Sequence, residues 1–153
     1  MTKKEEELVF ITLSEMLPYG VKVQFEDEIY DVEYVCPMYN EIKLDILGNY
    51  TIGISDIKPF LRPMSSMTEE EKIKLYQIAG FYYLSNNELL KDEWRQFSDA
   101  LSENELFLPY PIWGNDLQRV YDWLNENHFD YRGLIERGLA LEALDGMYGL
   151  KEK

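Results

Sequence analysis

The hydrophobic rhythm of the chain changes more than once, and each change marks a candidate element. From Glu5 to Gly20, "EEELVFITLSEMLPYG", apolar residues recur at helical spacing. Val9, Phe10, Leu13, Met16 and Leu17 make a broad apolar face, with Leu8, Ile11 and Glu15 to one side. Pro18 and Gly20 stop the helix. The period then drops to two. "VKVQFE" sets Val21, Val23 and Phe25 against Lys22, Gln24 and Glu26, a strand with one wet face. "EIYDVEYVC" puts Tyr30, Val32 and Tyr34 on one side, and "EIKLDIL" does the same with Ile42, Leu44 and Ile46. Gly48-Asn49 is a two-residue turn into "YTIGI". Four short consecutive strands predict an antiparallel meander, open or curled into a small barrel.

"SDIKPFLRPMSS" is a seam, because Pro59 and Pro63 interrupt any long regular element and leave room for a 3₁₀ turn. Beyond it the period is 3.6. "MTEEEKIKLYQIAG" opens with Thr68 as N-cap and Glu71 three residues on, the capping-box signature, with three acids in the first turn. "NNELLKDEWRQFSDAL" aligns Leu90, Trp94, Phe97 and Leu101 on one helical face, and Pro109 and Pro111 make "ENELFLPYPIWG" a loop. "NDLQRVYDWLNENH" predicts a helix capped by Asn115, with Leu117, Val120, Tyr121 and Leu124 as its stripe. The fold class is therefore α+β: an N-terminal helix, a four-stranded antiparallel meander or small barrel, then a helical C-terminal half. One compact domain is expected, with sub-lobes over residues 1–62 and 63–153.

Charge narrows the function classes. The chain of 153 residues has 15 basic and 29 acidic groups, net −14. Residues 1–66 carry 6 basic and 12 acidic residues and residues 67–153 carry 9 and 17, so the acidity is spread over both halves. Binding a phosphate backbone needs clustered Lys and Arg, which disfavours direct nucleic-acid binding. The excess acid serves solubility, or imitates nucleic acid, or docks a basic partner. A single cysteine, Cys36, excludes an internal disulfide and a cysteine metal cluster, and a half-buried strand position suits it. The apolar run near the N-terminus is too short for a secretory signal, and no stretch reaches 18 uninterrupted apolar residues. A cytoplasmic protein without a membrane anchor is expected.

Three pieces carry a resemblance: "SDIKPFLRPMSSMTEEE" (Ser55–Glu71), "DWLNENHFDYRGLIERGLALEA" (Asp122–Ala143) and the closing "GMY". They resemble hallmark segments of a family of short proteins from gut bacteria and their prophages or other mobile elements. The two longer segments cover about a quarter of the chain, whereas roughly Lys72 to Gln118 resembles nothing familiar. The resemblance implies a small cytoplasmic accessory protein of mobile-element background. No activity is assigned to that family, so no catalytic residue carries over.

Candidate chemistry is sparse. His128 is the only histidine and supplies at most one member of a nucleophilic triad or a metal site. At the end of a helix it suits the exposed carbonyls and the negative dipole end, with general base or partner contact as the other readings. Asp130 fits an N-cap for a new turn through "FDYRGLI", Arg132 an ion pair, and Gly138 a C′ position. "LALEA" reads as a short extended segment or edge strand. No glycine-rich phosphate loop is present in the sequence, and paired acids mean little in so acidic a chain. Trp94 and Trp123 suit packing, while Trp113, between Pro111 and Gly114, suits exposure. Trp113, His128 and Arg132 are the candidate partner contacts, with no catalytic, cofactor or metal residue expected. The leading function is a non-enzymatic acidic binding or accessory protein that engages another protein. The alternatives are a small hydrolase or transferase using Asp, Glu and Tyr, and a nucleic-acid-mimicking inhibitor.

Overall fold

The computed structural model describes residues 1–45, 51–78 and 114–149. It is α+β and divides into two compact units, residues 1–62 with 134–153, and residues 63–133. The division after Arg62 falls at the expected seam. The segment from Leu134 onward, expected to belong with the helical half, lies instead in the first unit. Its physical reason is burial: Leu134, Leu139 and Ala140 join the apolar cluster of the first unit.

Helix α1 spans Lys3–Met16, starting earlier than the apolar pattern because Thr2 caps it, its hydroxyl accepting the Glu5 N–H at 3.1 Å. Val9, Phe10, Leu13 and Met16 are buried and Ile11 is exposed, as the stripe requires. A 3₁₀ turn over Leu17–Tyr19 then leads into the sheet.

The described strands are β1 (Lys22–Phe25), β2 (Glu28–Cys36), β3 (Glu41–Leu44), β4 (Thr51–Ile52), β5 (Lys58–Leu61) and β6 (Leu141–Glu142). They form a mixed six-stranded sheet in the order β4-β3-β2-β1-β5-β6, antiparallel except for the parallel β5–β6 pair. β1 to β4 are the strands legible from alternation, and β5 and β6 lie beyond them on the β1 side. Proline inside "IKPFL" argues against a central strand. Here Pro59 is opposite Val23 on β1, but the β6 register begins only at Phe60, so the proline has no partner on that side.

Alternation fails once, in β2. Val32 pairs with Leu44, but the register then shifts, so that Tyr34 pairs with Lys43 and Val35 with Ile42. A bulge reverses the facing of everything after it. Val35 therefore packs against the core and Tyr34 points outward, correcting the expected Tyr30-Val32-Tyr34 face. The core of this unit unites α1 with Val21, Val23, Val32, Ile42, Leu44, Ile52, Ile54, Ile57 and Leu61.

Tyr148, from the closing "GMY", completes the sheet. The β1–β5 register runs Gln24–Lys58 and Val23–Pro59, which makes Lys22 and Phe60 the next opposed residues. The Tyr148 hydroxyl stands between them, accepting the Lys22 N–H at 3.0 Å and donating to the Phe60 carbonyl at 2.7 Å. The ladder continues through a phenol. Burial holds that phenol well above its ordinary pKa, outweighing the hydrogen bond from Lys22.

In the second unit, α2 (Glu69–Ile78) has the expected capping box. The Glu71 N–H donates to the Thr68 hydroxyl at 3.1 Å, and the Thr68 N–H donates to the Glu71 carboxylate at 3.0 Å. Helix α3 spans Gly114–Glu126, so Asn115 lies within its first turn and not at the cap. Leu75 of α2 shares a buried cluster with Val120 and Leu124 of α3, Met67, Phe129 and Tyr131. The helix expected over "NNELLKDEWRQFSDAL", the proline-broken loop, the Gly48-Asn49 turn and Ile46 lie outside the described residues.

Candidate functional site

The segment that draws the eye in sequence turns out to be built from two copies of one backbone device. At the end of α3 the Phe129 N–H donates to the Leu124 carbonyl at 3.0 Å and the His128 N–H to the Asn125 carbonyl at 3.1 Å. His128 takes φ 61, the left-handed conformation of a Schellman C′ residue. "LIERGL" repeats the arrangement: Leu139 N–H to Leu134 carbonyl at 2.9 Å, Gly138 N–H to Ile135 carbonyl at 3.0 Å, Gly138 at φ 74. In each copy the flanking apolar pair that accompanies the motif is buried.

His128 is 5% exposed and Asp130 8%. Around it, Trp123 stacks on Phe129 at 5.7 Å and Tyr121 meets Tyr131 at 5.2 Å. The Tyr131 hydroxyl donates to the buried Asn125 side chain at 3.1 Å, and the Arg132 guanidinium lies over the Tyr131 ring at 4.7 Å. "FDYRGLI" forms turns and no helix. Among the described residues no buried side-chain nitrogen or oxygen lacks a hydrogen-bond partner. Arg132 is half-buried, and Trp113 lies outside the described residues.

Among the described residues, surface chemistry gathers in two places of the first unit that alternation alone does not reveal. The first is the β2–β3 connection. A 3₁₀ turn over Pro37–Tyr39 ends at Asn40 in the left-handed conformation, whose side chain accepts the Ile54 N–H at 3.2 Å. This turn lifts Met38 and Tyr39 into solvent, 82% and 69% exposed, and the bulge adds Tyr34 at 45%. A side-chain hydrogen bond with Cys36 raises the Tyr34 pKa, aided by the nearby thiol, Glu41 and Tyr39. Cys36 itself is free and half-buried at the strand end, as expected.

The second is an open cleft of about 720 Å³ lined by Phe25, Glu26, Tyr30, Thr51, Ile52, Gly53 and Asp56. Phe25 closes the β1–β2 hairpin opposite Glu28, and Tyr30 is opposite Val23, so the two rings are diagonal neighbours on one face. Their centroids are 6.3 Å apart at 54°, and both rings pack partly against the core. The turn between them, Glu26-Asp27, has φ 50 and 67, the type I′ geometry that normally recruits Asn-Gly. "FEDEIY" carries the pattern: Phe25 faces Glu28 across the two-residue turn, so Tyr30, two residues beyond Glu28, lies on the same face as Phe25. Treating the acids as ordinary surface charge hid it.

No helix among the described residues is long and apolar enough to cross a membrane. Comparison with known proteins found no matching family model, no matching curated protein and no matching solved structure.

Proposed function

We propose that the chain is a non-enzymatic binding protein, a small acidic accessory protein of mobile-element background that acts in the cytoplasm by engaging another protein and not nucleic acid. The observation that carries this reading is the outward cluster of Tyr34, Met38 and Tyr39. Scattered apolar residues on a surface are ordinary, but two large ones on a fixed turn beside a third on the preceding strand are the composition of a protein contact. Met38 and Tyr39 sit in a turn whose closing residue, Asn40, accepts the N–H of Ile54 in the 3₁₀ turn after β4, and Tyr34 is set outward by a bulge. Their exposure is therefore built into the backbone. The nearby Glu41 and the net charge of −14 favour a basic partner.

The test uses the chain as bait in a lysate of its host, beside a Tyr34→Ser/Met38→Ser/Tyr39→Ser variant verified as folded by circular dichroism. The expected result is a protein retained by the wild type, lost from the variant, and bound directly once purified. Equal retention by both baits overturns the proposal.

A further inference from the structure

We propose that the Phe25–Asp56 cleft is a binding site for an arginine side chain presented by an extended segment of the basic partner. The inference rests on the binding-protein reading and adds to it a second, chemically distinct site. Three independent features of the cleft converge on this ligand. Its volume of about 720 Å³ is in the range of sites that hold a ligand, and it exceeds what one side chain fills, which suits a short peptide stretch. Two aromatic rings, Phe25 and Tyr30, line it with faces tilted at 54° and are held from behind by the core. Two carboxylates, Glu26 and Asp56, share the lining, and among the described residues neither is paired with a cation.

An aromatic face attracts a cation through its quadrupole, and a carboxylate accepts its N–H donors. Guanidinium satisfies both at once. It is planar, stacks on rings, offers a fork of donors to a carboxylate, and sheds water more readily than ammonium does. Lysine offers only a hydrated point charge. The missing side chain at Gly53 keeps the cleft open. A Cβ there would lie 3.5 Å from the Asp56 carboxylate, at ordinary contact, and Gly53 has φ −76, which any residue adopts. Position 53 can therefore be filled without backbone strain.

The test is a ¹H–¹⁵N titration of the full chain with the peptide Gly-Ser-Arg-Ser-Gly-Arg-Ser-Gly, with its lysine counterpart, and with free argininamide and spermidine. The expected result is saturable shifts at Phe25, Glu26, Gly53 and Asp56, with the arginine peptide at least tenfold tighter than the other three probes. Glu26→Gln/Asp56→Asn and, separately, Gly53→Val weaken it about tenfold, while Glu5→Gln/Glu6→Gln, which removes as much charge from α1, leaves it within twofold. The same spectra report that each variant is folded. Equal affinity for lysine, or for spermidine, overturns the assignment to an arginine of a protein segment. Small shifts spread over all acidic positions overturn the site itself. Shifts confined to Tyr34–Glu41 overturn the cleft while sparing the binding-protein reading.

Discussion

Replacing Tyr148 with Phe removes one oxygen and little else, and that oxygen holds β1 to β5. Its loss strands the Lys22 N–H and the Phe60 carbonyl, which now bond to it at 3.0 and 2.7 Å. Each hydrogen bond contributes about 1 kcal/mol net, and a buried group left unpaired costs about 1–3 kcal/mol. Partial access of water to this edge keeps the sum near the lower bound, about 2 kcal/mol. For a chain of this size that lowers Tm by roughly 4–8 °C. Urea unfolding, comparing midpoints at unchanged m-value, measures it. The alkaline limb offers a second readout. A phenol whose folded pKa is raised above the unfolded value of 10.0 contributes stability that is fully present below that pH and lost as pH climbs past it. Wild type should therefore lose stability above about pH 10 faster than Tyr148→Phe, by up to about 1.4 kcal/mol per pH unit. A stability difference under about 0.5 kcal/mol at neutral pH, together with parallel alkaline limbs, would refute the bridging role.

Other substitutions probe the local devices. Thr68→Ala removes one side of the capping box and should cost about 1 kcal/mol, read by urea unfolding; no loss would place the start of α2 under other control. Asp27→Gly relaxes a turn held at φ 67 and should stabilise by about 1 kcal/mol, with a higher Tm as the readout. Gly138→Ala introduces a Cβ with nothing within 4 Å, so its cost of about 1 kcal/mol is purely conformational, and Gly138→Asn should recover part of it. Because the acidic residues are spread over both halves of the sequence, the chain should not displace DNA from a basic DNA-binding protein at about 0.15 M salt, where screening sets in beyond roughly 8 Å. A competition anisotropy assay checks this, and salt-sensitive displacement at sub-micromolar concentration would favour the nucleic-acid mimic.

Much of the architecture was legible wherever one local rule governs. The apolar stripe of α1, the alternation of β1 and β3 and the Thr68–Glu71 box each follow from spacing within one element. Gly138 as a C′ residue was legible too, and "LNENHF" carries the same pattern with histidine in the glycine position. What escaped depends on partners distant in sequence. β5 contains a proline and shows no period; it is a strand because it lies between β1 and β6, whereas β6 falls within "LALEA", where an extended segment or edge strand was expected. The bulge in β2 is set by pairing with β3, and without it Tyr34 reads as a core residue. For the site, the only histidine, His128, reads first as a helix end, and the structure places it at the C′ position of α3, buried, with a left-handed backbone. Among the described residues, the chemistry at the surface lies in commonplace residues, the exposed Met38 and Tyr39 and the half-buried Phe25 and Tyr30 beside Glu26, and it is the hairpin and the 3₁₀ turn that set them there.

In the proposed function a partner is engaged through the sheet unit and not through the segment containing His128. Hydrogen–deuterium exchange on the chain, free and saturated with the protein captured by the wild-type bait, tests it most directly. Protection gained over residues 25–30, 34–41 and 51–56, with residues 114–133 unchanged, is the result the account requires. Protection confined to residues 114–133 would contradict it.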